Sequence, residues 1–169
     1  NDNQASYDPA RINGASQLAD GTFSYEFDTV LPANYDPSAT HQLGGQFQRV
    51  FLLDGVSYPT NSVTTFRPDG EPVTETREIS TTETCNACHT RLSVHGSRRE
   101  FQYCILCHNE QSVDPDTGTS VDMPVLIHKI HMGANLPSVQ GGEAYQIIGF
   151  RNSVHDYSHV EFPRDVRDC

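Results

Sequence analysis

The chain has no tryptophan, and only one of its eleven basic residues, Lys129, is a lysine. Against these stand 22 acidic residues, giving a formal net charge of −11 over 169 residues. So little positive charge argues against nucleic acid and anionic membrane surfaces, which both need basic patches. It suits cationic partners, metal ions or mineral surfaces. No run reaches about 18 apolar residues, so no spanning helix is expected. No basic segment leads into an apolar one at Asn1, so no signal peptide is read there. Hydrophobic residues make up 36%, a low share that allows only a modest side-chain core. The length allows one domain or two small ones.

Cysteine is scarce but placed with purpose. Four of the five lie in "CNACHTRLSVHGSRREFQYCILCH", from Cys85 to His108. This stretch holds two C-x-x-C-H units: Cys85, Cys88 and His89, then Cys104, Cys107 and His108. In such a unit two thiols bond a porphyrin edge and the following histidine binds its iron. The same cysteines also read as C-x₂-C-x₁₅-C-x₂-C, within the range of a four-cysteine zinc site. The histidines favour haem. A closed four-cysteine site has no use for them, and with 8 histidines in 169 residues their chance placement after both pairs is roughly a 1-in-450 event. Zinc or paired disulfides remain the alternative. Two haem c groups are expected, and their apolar surfaces would stand in for part of the missing core.

Along the chain, residues 1–20 are polar and read as a linker or arm. In "GTFSYEFDTVLP" Phe23, Tyr25 and Phe27 alternate with polar residues, a half-buried strand pattern. "PANYDPSATHQLGG" reads as a loop, "QFQRVFLLDG" as a second strand, "NSVTTFRPDGEP" as a short strand with a turn at Pro68 to Gly70, and "PVTETREIST" as a fourth strand. Residues 21–80 thus read as a small antiparallel β module. Residues 81–169 read as a c-type multihaem module with short helices and little regular structure, truncated at its C-terminus. Within it, "TETCNACHTRLSVHG" predicts a short helix capped by a threonine and stopped by Gly96. "DMPVLIHKIHMG" is the best helix candidate, with Asp122 near the N-cap, Pro124 in the first turn and Gly133 at the end. "QIIGF" and "SHVEFP" read as short strands or extended segments.

Each haem iron needs a second axial ligand to be six-coordinate. His95 lies six residues after His89, about 240° around a helix, so it cannot serve the same iron. The plain alternative is a solvated histidine before a glycine. His128 and His131 share one helix face among Leu126, Ile127 and Ile130, a setting that favours ligands over core residues. Met123 and Met132 are weaker candidates. His41 reads as structural or solvated, and His155 and His159 as ambiguous. "DPDTG" from Asp114 lacks the full oxygen set of a calcium loop, so an Asx-rich turn is the better reading. With histidine on both faces of each iron, the haems would pass electrons rather than bind a substrate. A haem reductase with one open iron is the enzyme alternative, and a stapled binding module the other.

The segments "CNACHTRLSVHG", "YCILCHN", "LIHKIHMG" and "VEFPRDVRDC" resemble successive signatures of outer-membrane decahaem cytochromes of the OmcA/MtrC type. The resemblance covers residues 83–169 and extends only loosely over Gly21 to Ser80. It implies β domains alternating with multihaem domains and electron flow to extracellular acceptors. Other redox proteins, metal ions, minerals or shuttles would be the partners. It implies that His89 and His108 are proximal ligands and that His95, His128 and His131 are distal ligands. "FPRDVRDC" resembles the lead-in to a further unit, with Cys169 as its first cysteine. Only two complete units are present, so a ten-haem count does not carry over. Where the family has a second glycine after His95, this chain has Ser97. Covalent haem attachment takes place outside the bacterial cytoplasm, and with the resemblance the expected location is the cell surface, outer membrane or extracellular space, with the periplasm as the alternative. The chain is expected to be a processed protein or part of a longer one.

Overall fold

The computed structural model describes residues 15–20, 22–50, 53–165 and 167. Most of the expected arm, and Cys169, lie outside the described residues.

The strands form three separate antiparallel pairs. β1 (Ala15–Gln17) pairs with β2 (Phe23–Tyr25) over three residues. β3 (His41–Val50) and β4 (Ser57–Phe66) make a ten-residue hairpin. β5 (Gln146–Gly149) and β6 (Ser153–Asp156) make a short one. The helices are equally brief: α1 (Thr82–His89), α2 (Phe101–Cys104), α3 (Met123–Met132) and α4 (Pro137–Gln140). No described helix is long and apolar enough to cross a membrane.

Small antiparallel sheets and short helices are what the sequence led us to expect, but three details differ. β3 starts at His41, inside the segment expected to be a loop. Gly44 and Gly45 read as loop residues, yet Gly44 is in the strand for a packing reason. A Cβ there would collide with the Leu106 side chain and stand 2.9 Å from the Tyr103 ring, so glycine lets the backbone close on both. The expected fourth strand at "PVTETREIST" forms no strand and pairs with none of the described strands. Side chains hold it instead: Thr40 Oγ1 donates to the Glu75 carbonyl, and Arg77 lies 3.5 Å from Asp122. Finally, the Phe23, Tyr25, Phe27 alternation is strand only to Tyr25, and Phe23 and Phe27 are exposed.

Other local signals hold. The Pro68–Gly70 turn closes with the Gly70 N–H on the Arg67 carbonyl, 3.0 Å. α3 starts after Asp122, carries Pro124 in its first turn and stops at Gly133, since proline suits a first turn and glycine an end. Gly133 has φ +40°, and a Cβ there would run into the Val160 carbonyl. The Asp114 loop is an Asx turn: the carboxylate accepts from Asp116 N–H, Thr117 Oγ1 and, across the chain, Ile148 N–H at 3.0 Å. These bonds hold the Asp114 carboxyl below its ordinary pKa, the Ile148 contact being the largest cause.

The side-chain core is thin. No described side chain is wholly buried. The main cluster is Phe101, Cys104, Ile105 and Met123, with Cys85 and Ile127 packed against it. The first cysteines of both C-x-x-C-H units therefore meet in one apolar cluster. Met123 is core, not an exposed ligand.

Candidate functional site

The first unit closes α1. Thr81 caps this helix, its Oγ1 accepting from Thr84 N–H at 3.2 Å, which sets the register so that Cys85, Cys88 and His89 fall within its last two turns. The helix ends at His89, well short of Gly96, because Thr90 has φ +57°. This corrects the expected stop. It also removes the helical argument that separated His95 from His89, since His95 lies beyond the helix. Cys85 is half-buried, Cys88 exposed, and His89 exposed. The His89 ring faces His131 from α3, with centroids 6.0 Å apart and planes 33° apart.

The second unit follows from α2. Cys104 is buried and its thiol donates to the Glu100 carbonyl at 3.3 Å, while Cys107 is exposed. Burial, and then the neighbouring Cys85, push the Cys104 thiol up from its ordinary pKa; burial does the same for Cys85. His108 Nδ1 lies 2.7 Å from the Val121 carbonyl. Only a protonated nitrogen can bond there, so Nε2 keeps its lone pair for a metal. The His95 ring stacks beside His108 at 6.1 Å between centroids and 19° between planes. A narrow cleft between them is walled by Val94, Arg98 and Tyr103.

His131 differs from His108 in its support. Its Nδ1 is buried with no partner among the described residues, and the Phe162 ring packs against it at 5.0 Å. Burial, then His89 and His128, hold the His131 imidazole below its ordinary pKa. Burial, then Arg98, His108 and His155, do the same for His95. Both therefore favour the neutral form, which is the ligating one. His128 is exposed, with Nδ1 2.8 Å from the Pro124 carbonyl. It stacks on no described ring. Of the remaining histidines, His41 opens β3 between Tyr35 and Phe66, a structural setting. His155 Nε2 lies 3.0 Å from Ser153 Oγ.

Two imidazoles in line on opposite faces of one metal stand about 6 Å apart at their centres, given metal–nitrogen bonds of about 2 Å. Both observed pairs have that spacing, and each includes the histidine of one C-x-x-C-H unit. The residues thus fit haem. They do not fit four-cysteine zinc: among the described residues no three Cys, His, Asp or Glu side chains converge on one point. A wider cleft, between β3–β4 and Thr76–Glu78, is lined by none of the cysteines or candidate histidines.

A family profile described as outer membrane cytochrome MtrC/MtrF-like, domains II/IV, matches residues 77–169. The chain belongs to this family. It is also 33% identical over 132 residues to the multiheme cytochrome MtrC of Shewanella baltica (strain OS185), covering 71% of this chain. The chain spans 19% of that relative's length. No solved structure matches. Membership makes this a cytochrome polypeptide of the haem c type, and it bears out a place outside the cytoplasm.

Sequence reasoning missed the Val121 carbonyl and Phe162. A backbone carbonyl has no sequence signature, and Phe162 reaches His131 only through the fold.

Proposed function

We propose that the chain carries two haem c groups with histidine on both faces of each iron, and that it forms a stretch of an extracellular electron conduit. Cys85, Cys88 and His89 would hold one haem, with His131 opposite. Cys104, Cys107 and His108 would hold the other, with His95 opposite. The observation that carries this reading is the pair of ring spacings, 6.0 and 6.1 Å, each joining a motif histidine to a distant one. The bound groups supply a one-electron iron couple. The chain's own part is to fill every axial position and bring the two groups close. Cys85 and Cys104 share one apolar cluster, so the attached porphyrin edges start from neighbouring points in a water-poor place. The net charge of −11 suits cationic or metal acceptors. Residues 21–80 act as the β module and 81–169 as the haem module, with the β3–β4 hairpin packed on the latter.

Three distal candidates exist for two irons, and His128 is the one left over. Single alanine variants of the haem-loaded chain test this by visible and paramagnetic resonance spectra. His95→Ala and His131→Ala should each turn one haem high-spin, and His128→Ala neither. The parent mass should exceed the polypeptide by two haem groups after acid extraction. A mass of polypeptide plus zinc would sink the reading. Ready carbon monoxide binding by the unmodified reduced protein would favour a reductase with one open iron.

A further inference from the structure

We infer that the β3–β4 hairpin positions an axial ligand: a cross-strand amide pair, Gln46 and Asn61, clamps the loop that presents His95 to the second haem. The inference rests on His95 being that ligand.

The loop needs holding. Val94 and Arg98 bond each other in both directions at 3.0 Å, so residues 95–97 form a tight turn. His95 in this turn has φ +49° and Gly96 has φ +82°. Glycine accepts that backbone freely, while histidine adopts it more often than most side chains but less readily than glycine. His95 is partly open to solvent, so its own packing holds it there only in part. An imidazole that must stand opposite His108 needs support from elsewhere.

The support comes from one face of the hairpin. Gln46 and Asn61 are direct partners in the β3–β4 register, so their side chains lie on the same face. Gln46 Nε2 donates to Ser97 Oγ at 2.9 Å, and Gln46 Oε1 accepts from Arg98 Nε at 3.2 Å. Asn61 Oδ1 accepts from the Arg99 backbone N–H at 2.8 Å. Three consecutive residues, Ser97 at the end of the turn and then Arg98 and Arg99, are thus gripped by two amides. Asn61 is only 9% exposed, and its Nδ2 has no partner among the described residues. Burying an amide with one end unsatisfied is costly, so satisfying its own bonding does not explain its place. Gly44, two residues before Gln46 and on the same face, brings the hairpin onto Tyr103 and Leu106. The same hairpin face therefore touches both the distal loop and the second C-x-x-C-H segment, and fixes their separation.

The test uses the haem-loaded full chain. Gln46→Ala/Asn61→Ala should loosen His95 and leave the first haem untouched. We expect high-spin signal at one haem of two, and carbon monoxide bound at about one per two haems where the parent binds none. Gln46→Glu/Asn61→Asp keeps an acceptor for Arg98 and for the Arg99 N–H and should stay low-spin at both. An alanine double variant with both haems low-spin and no carbon monoxide uptake would overturn the clamp, as would equal loss at both haems. If that variant does not accumulate, Ser97→Ala should raise the high-spin fraction at the second haem, and no rise would overturn the inference. His95→Ala separates the two readings. If it leaves both haems low-spin, the ligand assignment has failed, not the clamp.

Discussion

The two C-x-x-C-H units have the same residue types at the same spacing, yet the fold treats them differently. The first ends a helix, with Cys88 and His89 exposed and only Cys85 touching the core. The second starts in the core, with Cys104 at 7% exposure beside Phe101 and Ile105. The motif histidine of the second is oriented by the Val121 carbonyl. At the first, the facing His131 is held by ring packing from Phe162, with no hydrogen bond at Nδ1 among the described residues. A motif thus prescribes which atoms a site offers, while its surroundings prescribe how firmly they are held.

The sharpest way to break the comparison is to remove each thiol pair in turn. Cys85→Ala/Cys88→Ala and Cys104→Ala/Cys107→Ala should each lower the intact mass by one haem group. Only the second should also markedly lower the urea midpoint, because Cys104 is a core side chain. Equal midpoints would mean that the two units are equally built in.

A smaller effect is expected from Phe101→Ala. Phe101 is 4% exposed at the centre of the cluster that both first cysteines join. Truncating a buried phenylalanine costs about 3–5 kcal/mol, read by urea unfolding. Both haem spectra should shift together. A change confined to the second haem would show that the cluster belongs to that unit alone.

The smallest effect is acid sensitivity on the side of the second unit. Asp114 anchors the loop after that unit to β5 through Ile148. Its folded pKa is lowered, so the folded chain binds this proton less readily than the unfolded chain. The stabilisation is therefore complete above the ordinary carboxylate value of 3.8 and is lost as pH falls below it through the folded value. Urea midpoints measured from neutral pH down to about pH 3 should fall more steeply for the parent than for Asp114→Asn. Parallel curves would remove Asp114 from this role.

Where signals are local, the sequence was legible. Asp122, Pro124 and Gly133 marked both ends of α3 because capping acts within one turn. The Asx turn at Asp114 was read correctly for the same reason. The end of α1 was misread because Thr90, not Gly96, takes the left-handed backbone that stops it. The start of β3 was misread because its glycines serve a contact with Tyr103 and Leu106, more than fifty positions away. The expected fourth strand had suitable residues, but strand formation needs a partner that composition does not supply.

By itself the sequence determined the chemistry on offer. Two thiols and a histidine within five residues are brought together by a single turn of chain, whatever the rest of the molecule does. It also determined the charge and the shortage of core. Only the tertiary structure decided which rings meet. His95 lies six residues from His89 yet stacks beside His108, and His131 faces His89 across the chain. Those meetings depend on the backbone at Thr90 and His95, on the hairpin that grips residues 97–99, and on α3 bringing His131 to the end of α1. Such contacts join residues far apart in the chain, and no local periodicity encodes them.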